Sequence, residues 1–423
     1  MNQTLRIGLL GERLSHSHSP AIHRELAGER YTYELFERAP HELEAFMKGH
    51  EWDALNVTIP YKQAVMPYLD VISDEAARIG AVNTVTRLAD GRLHGDNTDY
   101  FGFSSTLRAC GCAVAGKKAL VLGNGGAAAT AVAVLSDMGA HVVVLARSQD
   151  TVGGVIPEPY DTVYERHADA AVVVNCTPVG MYPRLVGQTL LHPARLHSLT
   201  AVFDMVYNPA RTALLQEAQD AGIPAYNGLL MLVAQAKAAC ERFTGESLPD
   251  SCIPPIVESI SRQTENVILI GMPGSGKSTV GRLLAKTMGR RFVDTDRLIV
   301  EMAGKSIPAI FAEDGEDAFR ALEHEVVLRV GMESGQVIAT GGGVVTRTEN
   351  YAPLSQNGRL VFLHRDLDKL SREGRPLSES TPLSAMLEAR LPLYRAFADC
   401  EADNNATPED TVRRILQALG YLS

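Results

Sequence analysis

The chain alternates short apolar runs with longer stretches in which apolar and polar residues recur at helical spacing. Strand-like runs separated by helix-like segments are typical of α/β proteins built on parallel sheets. The sequence therefore predicts an α/β fold with parallel sheets. The clearest apolar runs lie at residues 6–10, 54–58, 119–122, 142–145, 171–174, 201–204 and 267–270.

The alternation lapses between residues 246 and 264, where Pro254 and Pro255 stand in tandem among polar neighbours. Such a stretch favours a linker. A length of 423 residues is enough for two or three domains. We therefore expect one region at 1–250, a flexible linker at 251–264 and a second region at 265–423.

Composition and charge narrow the class of protein. The chain is 45% hydrophobic and 21% charged, as soluble globular proteins are, and its net charge is −10. Neither predicted region is basic, so we expect no nucleic-acid partner. The scattered cysteines, the absence of a signal-peptide pattern and the absence of a membrane-length apolar stretch predict a cytoplasmic protein with no membrane partner.

A glycine-rich loop follows the apolar run at 267–270. Residues 271–278 match the pattern G-x-x-x-x-G-K-[ST] at every fixed position. In such a loop the backbone amides from Gly274 through Gly276 to Lys277 bind phosphates, the lysine reaches the β- and γ-phosphates, and Ser278 binds Mg²⁺. We therefore predict an ATP and Mg²⁺ site, with Thr279 as a further nucleotide contact.

A second glycine loop of a different type follows the run at 119–122. Residues 123–128 fit the dinucleotide pattern G-x-G-x-x-G/A, in which backbone amides and a helix N-terminus bind a pyrophosphate. Arg147 ends the next strand, where an arginine favours NADP over NAD. The glycine loop could instead be a βα turn that binds no ligand, and Arg147 could be an ordinary surface arginine. The predicted cofactor positions are Gly123, Gly125, Gly126, Ala127 and Arg147.

Polar clusters follow several strands of the first region, at 15–20, 56–62, 80–84 and 95–99. Hydroxyl and amide groups suit a small polyhydroxylated acid, and Lys62 could exchange a proton with an alcohol. Taken singly, each cluster could equally be a helix cap, a surface lysine or an ordinary turn.

Together and in this order, these motifs and those at 175–181, 204–207 and 228–236 closely resemble the shikimate dehydrogenase family over about residues 5–245. The resemblance implies a two-lobed enzyme, with a substrate lobe at about 1–102 plus 226–245 and a Rossmann lobe at about 103–225. It implies NADPH-dependent reduction of 3-dehydroshikimate, with Lys62 as the general acid/base and Asp99 placing it. Implied substrate contacts are Ser17, Ser19, Thr58, Asn83, Asp99, Tyr207 and Gln235, and Met205 and Gly228 line the nicotinamide.

One position departs from that family. Ala146-Arg147-Ser148 stands where the family often has Asn-Arg-Thr, so the charge is kept and one amide is lost.

The second region carries further candidate groups after its strands. Asp294 and Asp296 stand two apart at a strand end, and hence on one face, where one carboxylate could serve the metal and the other an acceptor hydroxyl. Arg320 and Glu323 are three apart on a predicted helix. Asp294 or Asp296 could instead only cap a helix, and Arg320 and Glu323 could form a surface ion pair. The three glycines at 341–343 could simply make a turn.

This pattern, with Arg375-Pro376-Leu377 and Arg390-x-Pro392-Leu393-Tyr394, resembles the shikimate kinase family over about residues 266–420. The resemblance implies a P-loop α/β domain with a parallel sheet flanked by helices and a lid. In that family the corresponding residues bind shikimate (Asp296, Arg320, Gly342, Arg390), take the hydroxyl proton (Asp296), serve Mg²⁺ (Ser278, Asp294) and offset phosphoryl charge (Lys277, Arg375). The lid segment 371–375 is short, and 403–407 lacks an arginine that often lies near adenine.

The two resemblances predict a bifunctional enzyme, because the product of the first reaction is the substrate of the second. Two alternatives stay open: one half could be a binding or regulatory module, and the first half could use quinate and NAD. Both a monomer and a homodimer are compatible with the sequence.

Overall fold

The computed structural model describes residues 5–14, 17–49, 51–183, 187–370 and 382–422. The chain divides into two compact units. The first consists of Met1–Asn208 and Thr212–Ile260, and the second of Pro209–Arg211 and Ser261–Ser423.

The first sheet of the first unit has six strands. Their bounds are β1 Leu5–Gly11, β2 Tyr31–Glu37, β3 Ala54–Val57, β4 Val71–Ile72, β5 Thr84–Arg87 and β6 Leu93–Asp96. The order is β2-β1-β3-β5-β6-β4, and β5 runs antiparallel to both β3 and β6. The sheet is therefore mixed: β1 pairs in parallel with β2 and β3, and β4 with β6, whereas the connection between β5 and β6 is a tight turn at Gly91, too short for a crossover helix.

Five helices of the described residues accompany this sheet. They are α1 Ser19–Ala27, α2 Leu43–Lys48, α3 Tyr61–Ala64, α4 Asp74–Ile79 and α5 Thr98–Ala109. α3 begins four residues after β3 ends, and α5 begins two residues after β6 ends. Both helices therefore start near strand ends, and their first turns carry Lys62 and Asp99.

The second sheet is a five-stranded parallel sheet. Its strands are β7 Lys118–Leu122, β8 His141–Leu145, β9 Val172–Asn175, β10 Ala201–Asp204 and β11 Ala225–Tyr226, in the order β11-β10-β9-β7-β8. The accompanying helices are α6 Gly126–Asp137, α7 Val163–Arg166 and α8 Ala213–Asp220. The predicted strands at 119–122 and 142–145 thus form the neighbouring β7 and β8, and the glycine loop leaves the end of β7.

A long helix, α9 (Leu229–Thr244), returns from the second sheet to the first lobe and packs against α5. The helices approach closely at Gly102, where a Cβ atom would lie 2.8 Å from the carbonyl oxygen of Met231. Glycine is required there because any side chain would push the helices apart. This contact brings Gln235 of α9 next to the start of α5.

The segment expected to be a flexible linker forms a helix, α10 (Ile253–Thr264). Ile253, Ile256 and Ile260 are buried in the same core as residues of α1 and α9, so α10 completes the first unit. The two prolines that suggested a linker occupy its first turn, where a missing N–H costs nothing. β12 begins at Asn266, two residues after α10 ends.

The second unit is built on a parallel sheet of five strands. They are β12 Asn266–Ile270, β13 Arg291–Asp294, β14 Gln336–Ala339, β15 Gly358–His364 and β16 Cys400–Asp403, in the order β13-β14-β12-β15-β16. β12 is the central strand, so the loop that follows it opens at the middle of the sheet, where ligands of open α/β sheets bind.

Seven described helices belong to this unit. They are α11 Lys277–Met288, α12 Thr295–Ala303, α13 Ile307–Glu313, α14 Gly315–Gly331, α15 Tyr351–Ser355, α16 Leu383–Phe397 and α17 Pro408–Ala418. In neither unit do the described residues include a helix of the length and apolar character needed to cross a bilayer.

Candidate active sites

The centre of the first site is an ion pair between Lys62 and Asp99. The Nζ of Lys62 lies 2.6 Å from the Oδ2 of Asp99, and both side chains are largely shielded from water. The backbone carbonyl of Lys62 also accepts a hydrogen bond from Val82 N at 2.8 Å, which fixes α3 against the segment before β5. The pair therefore has a defined position as well as a strong interaction.

A buried hydrogen-bond network holds the start of α5, and with it Asp99. The Oδ1 of Asn83 accepts from Thr98 N at 2.7 Å and from Thr98 Oγ1 at 3.2 Å. Thr98 Oγ1 also lies 3.4 Å from the Oε1 of Gln235, and the Nε2 of Gln235 donates to Leu232 O. Two of the predicted substrate residues, Asn83 and Gln235, thus meet although 152 positions separate them.

The other predicted substrate residues lie around α1 and β3. Ser17 Oγ accepts a hydrogen bond from Ser19 N at 3.2 Å at the start of α1, and Thr58 N donates to Leu10 O at 2.9 Å. The Tyr207 ring lies 5.4 Å from that of His18, measured between ring centroids, and burial raises the pKa of the Tyr207 hydroxyl.

Asn56 is a buried polar residue to which the sequence analysis assigned no role. Its Oδ1 accepts from the hydroxyl of Tyr33 at 2.8 Å, and the ring of His23 stacks on Tyr33 at 4.0 Å. Burial lowers the pKa of His23 to about 3, so this histidine is neutral. A polar residue inside an otherwise buried strand is the signal that could have singled out Asn56.

The first glycine loop has the backbone of a phosphate site. Gly123 has a φ of +101°, and a Cβ atom there would lie 2.8 Å from a methyl group of Thr177. Gly125 caps α6, and a Cβ atom on it would meet no atom within 4 Å, so the space over this helix N-terminus is open. Gly126 and Ala127 form the first turn of the helix.

Arg147 is exposed and stands at the end of β8 beside this loop. The next residue, Ser148, accepts a hydrogen bond from Asn124 Nδ2 of the loop at 2.8 Å. The strand end that carries Arg147 is therefore tied to the glycine loop.

Met205 and Gly228 are in direct contact. A Cβ atom on Gly228 would lie 2.2 Å from the carbonyl oxygen of Met205, so only glycine fits. The neighbouring Asp204 is buried and accepts from Thr212 Oγ1 at 2.6 Å and from Asn175 Nδ2 at 2.9 Å. Burial raises the pKa of Asp204 to about 7, and these hydrogen bonds partly oppose that shift.

The second site begins at the loop after β12. Gly274 and Gly276 have φ values of +82° and +91°, which L side chains rarely adopt. The buried Lys277 Nζ donates to the carbonyl oxygens of Gly271 at 2.8 Å and Met272 at 3.0 Å. The lysine thus lies folded over its own loop, and the first turn of α11, which begins at Lys277, also carries Ser278 and the exposed Thr279.

Ser278, in the first turn of α11, contacts Asp294 at the end of β13. Ser278 Oγ donates to the Oδ2 of Asp294 at 2.7 Å, and the other oxygen of Asp294 caps α12 by accepting from Asp296 N. Asp294 therefore caps α12 and also contacts Ser278. A hydroxyl and a carboxylate are oxygen ligands of the kind Mg²⁺ prefers.

Asp296 and Glu323 converge on Gly341. A Cβ atom on Gly341 would lie 2.8 Å from the Oδ1 of Asp296 and 2.8 Å from the Oε1 of Glu323. The Glu323 Oε1 is buried and accepts no hydrogen bond from the described residues. Burial raises the pKa of Glu323, Arg320 opposes the shift, and the nearby charge of Asp296 adds to it.

Arg320 forms a buried ion pair with Glu323. The Nη1 of Arg320 lies 2.7 Å from the Oε2 of Glu323, with side-chain exposures of 5% and 1%. The alternative of a surface ion pair is therefore wrong. The guanidinium packs on Gly343, where a Cβ atom would lie 2.3 Å from its nitrogens.

Arg390 reaches the same glycine segment from α16. Its Nη1 donates to the carbonyl oxygen of Gly342 at 3.1 Å, and Tyr394 one turn later donates to the same oxygen. The structure thus brings Asp296, Arg320, Gly342 and Arg390 to one loop. Arg375, the predicted lid arginine, lies outside the described residues.

Family models match both parts of the chain. A model of the shikimate dehydrogenase substrate binding domain matches residues 9–85, and a shikimate kinase model matches residues 273–420. Shikimate dehydrogenase (NADP(+)) of Oleidesulfovibrio alaskensis is 42% identical over 255 residues, which cover 57% of this chain and 90% of that relative.

The chain belongs to the shikimate dehydrogenase family. Its second unit is a shikimate kinase domain.

Solved shikimate dehydrogenases share the fold of the first unit. A chorismate mutase/shikimate 5-dehydrogenase fusion protein from Clostridium acetobutylicum is 35% identical with a TM-score of 0.57, covering 61% of this chain and 97% of that one. Shikimate 5-dehydrogenase from Thermus thermophilus, solved with NADP(H) and shikimate, is 33% identical with a TM-score of 0.53, covering 60% and 99%. The sequence-based identification of both families and of the α/β fold is confirmed.

The two nucleotide sites of this dehydrogenase and kinase fit the groups that the families use. The open N-terminus of α6 at Gly125, beside Arg147, suits a dinucleotide with an additional phosphate. The glycine-rich loop before α11, together with the Ser278 and Asp294 oxygens, suits a nucleoside triphosphate with Mg²⁺.

Proposed function

We propose that this chain is a bifunctional enzyme of the shikimate pathway that makes shikimate in its first unit and phosphorylates it in its second. The first reaction is the NADPH-dependent reduction of 3-dehydroshikimate, and the second is the ATP- and Mg²⁺-dependent formation of shikimate 3-phosphate. One observation supports the proposal: in each unit, the side chain that we assign to proton transfer belongs to a segment that lies near a glycine loop. The backbone carbonyl of Lys62 accepts a hydrogen bond from Val82 N, and the preceding Ala81 faces Gly126 of the first loop. Asp296 faces Gly341, and the next residue, Gly342, packs on Pro273 of the second loop.

In the first unit, Lys62 would be the general acid. Its ammonium is held by Asp99 at 2.6 Å and would deliver a proton to the ketone oxygen. Bound NADPH would supply the hydride, and its nicotinamide would lie against Met205 and Gly228. The hydroxyls of Ser17, Ser19, Thr58 and Tyr207 and the amides of Asn83 and Gln235 would hold the substrate's hydroxyl and carboxylate groups.

In the second unit, the groups around Gly341 to Gly343 would bind shikimate. Arg320 and Arg390 would bind its carboxylate, because a planar guanidinium matches a carboxylate with two parallel hydrogen bonds. Asp296 would orient the acceptor hydroxyl and take its proton, and the buried oxygen of Glu323 offers an acceptor for another hydroxyl.

The remaining groups of the second unit would act on the phosphates. Lys277 would leave its loop carbonyls and offset charge on the transferring phosphoryl group, together with Arg375. Ser278 and Asp294 would hold Mg²⁺, which neutralises phosphate charge when bound.

We propose a cytoplasmic enzyme with no nucleic-acid partner, which agrees with its acidic composition. A first unit that uses quinate and NAD, and a half that binds without catalysis, are the alternatives that a direct assay separates.

The test is a pair of assays on the full chain and two variants. The wild-type protein should oxidise NADPH with 3-dehydroshikimate and should phosphorylate shikimate in the presence of Mg-ATP. Lys62→Ala should lose the first activity alone, and Lys277→Ala the second alone. Lys48→Ala and Lys286→Ala, which change exposed lysines of the respective units, are the matched controls.

Two results would contradict the proposal. Retention of either activity within a few-fold in the corresponding variant would remove the assigned residue from that site. Faster turnover with quinate and NAD than with shikimate and NADP, measured in the oxidative direction, would favour the alternative for the first unit.

A further inference from the structure

Arg365 lies beside the phosphate loop of the second unit and was not singled out by any sequence motif. It follows the last residue of β15, the strand that pairs with β12, so it stands next to the loop that leaves β12. A Cβ atom on Gly276 would lie 3.4 Å from the Nη1 of Arg365. The guanidinium therefore lies beside the loop, next to Gly276.

No protein group in the described residues neutralises this guanidinium. Arg365 forms no hydrogen bond or ion pair with them, and its Nε is shielded from solvent without a partner. The nearby carboxylates are already engaged: Asp366 lies 3.2 Å from Lys369, and Asp403 lies 2.6 Å from Arg414. Arg365 is half-buried, and its shielded Nε has no acceptor among the described residues, so a ligand with anionic oxygens would supply the hydrogen-bond acceptor that this N–H lacks.

The backbone around Arg365 is fixed on both sides. Asp366 N donates to the Oδ1 of Asn405 at 3.0 Å, which ties the segment after β15 to the segment after β16. Asn404 Nδ2 in turn donates to the carbonyl oxygen of Ser275 in the phosphate loop at 2.6 Å, and Thr411 Oγ1 donates to Asn404 Oδ1. Arg365 is thus attached to a frame that includes the phosphate loop itself.

We propose that Arg365 binds phosphate oxygens of the nucleoside triphosphate held by the loop at 271–278. This inference rests on the proposed kinase function of the second unit and adds a nucleotide contact on the side where residues 403–407 have no arginine. A guanidinium at the rim of a loop of backbone amides can donate two hydrogen bonds to one phosphate, which lysine cannot do in that geometry.

The experiment compares Arg365→Ala, Arg365→Gln and Arg365→Lys in the full chain. The KM for ATP should rise about ten-fold in the alanine and glutamine variants and less in the lysine variant, because a charged hydrogen bond is lost. The KM for shikimate and the rate of NADPH oxidation should stay within about two-fold of the wild-type values. Arg359→Ala, on the same strand, is the matched control and should leave the KM for ATP unchanged.

A second measurement identifies the chemical group that Arg365 contacts. Inorganic tripolyphosphate, which lacks the nucleoside, should bind the wild-type protein and bind the glutamine variant about ten-fold more weakly. An unchanged KM for ATP in all three variants, or a loss of ATP affinity with unchanged tripolyphosphate binding, would overturn the phosphate assignment. If the wild-type protein shows no phosphorylation of shikimate while tripolyphosphate binding still depends on Arg365, the kinase proposal fails and the phosphate contact stands.

Discussion

The ammonium of Lys62 and the carboxylate of Asp99 lie 2.6 Å apart although they belong to separate helices and 37 positions separate them in the chain. Each helix starts near a strand end of the same sheet, and the Asn83 to Thr98 hydrogen bonds fix the start of the second helix. The pair is therefore positioned by the sheet and not by local sequence.

Replacing Asp99 by asparagine should lower the turnover of 3-dehydroshikimate by about ten- to a hundred-fold. The amide keeps the shape of the side chain but no longer offsets or orients the charge of Lys62. The measurement is NADPH oxidation under saturating substrate. Asp137→Asn, which changes a more exposed carboxylate paired with Arg78, is the control, and equal losses in both variants would refute a specific role of Asp99.

Replacing Gly125 by alanine should raise the KM for NADPH by about ten-fold without unfolding the first unit. Gly125 has a negative φ and open space where its Cβ would lie, so the methyl group fits the protein but occupies the place of a pyrophosphate. The fluorescence of Trp52, the single tryptophan, reports whether the first unit is folded. An unchanged KM would show that the cofactor does not approach this glycine.

Removing divalent metal with EDTA should abolish phosphorylation of shikimate and leave NADPH oxidation intact. Ser278→Ala and Asp294→Asn should each raise the Mg²⁺ concentration needed for half-maximal phosphorylation by about ten-fold, because each removes one oxygen of the pair that meets at 2.7 Å. Thr279→Ala changes an exposed hydroxyl that we assign to nucleotide and not to metal, and its Mg²⁺ requirement should equal that of the wild type. A raised requirement in that variant alone would contradict the metal assignment.

The stability of the first unit should depend on pH through Asp204. Burial raises the pKa of Asp204 from 3.8 to about 7, so its contribution to stability is complete below the unfolded pKa and is lost as the pH rises through the folded pKa. The quantity to follow is the free energy of unfolding of the wild type minus that of Asp204→Asn. This difference should fall by about 2 to 3 kcal/mol between about pH 5 and pH 8. Urea unfolding followed by Trp52 fluorescence measures this difference, and a constant difference would show that Asp204 keeps an ordinary pKa.

Helix α10 should stabilise the first unit. Ile260 is buried in the core shared with α1 and α9, so Ile260→Ala should lower the free energy of unfolding of that unit by about 2 to 4 kcal/mol. Ser261→Ala, at the exposed neighbouring position, should change it by less than about 0.5 kcal/mol. If the two variants are equally stable, the segment behaves as the linker that the prolines indicated.

Several features of this chain could be read from local sequence. The two glycine loops are local patterns, since each needs a strand, a turn of defined conformation and a helix start within about ten residues. The same holds for the strand runs at 119–122 and 267–270, which are buried on both faces and therefore continuously apolar.

Other features depend on how distant segments pack, and the sequence did not reveal them. The first sheet is mixed, with β5 antiparallel to β3 and β6, and a short turn joins β5 to β6 where a parallel pair would need a crossover helix. The proline pair at 254–255 resembled a linker, yet the isoleucines that follow pack against α1 and α9 and make the segment a helix.

The sequence by itself determined which chemical groups this dehydrogenase and kinase possess, because glycine loops and strand-end polar residues are specified within short segments. Only the tertiary structure decided which of these groups meet. Three contacts follow from the order of strands in the sheet. Arg320 is buried against Glu323, Asn404 contacts the phosphate loop, and Arg365 lies half-buried beside that loop. Strand order brings residues more than a hundred positions apart into contact, and local sequence patterns do not specify that order.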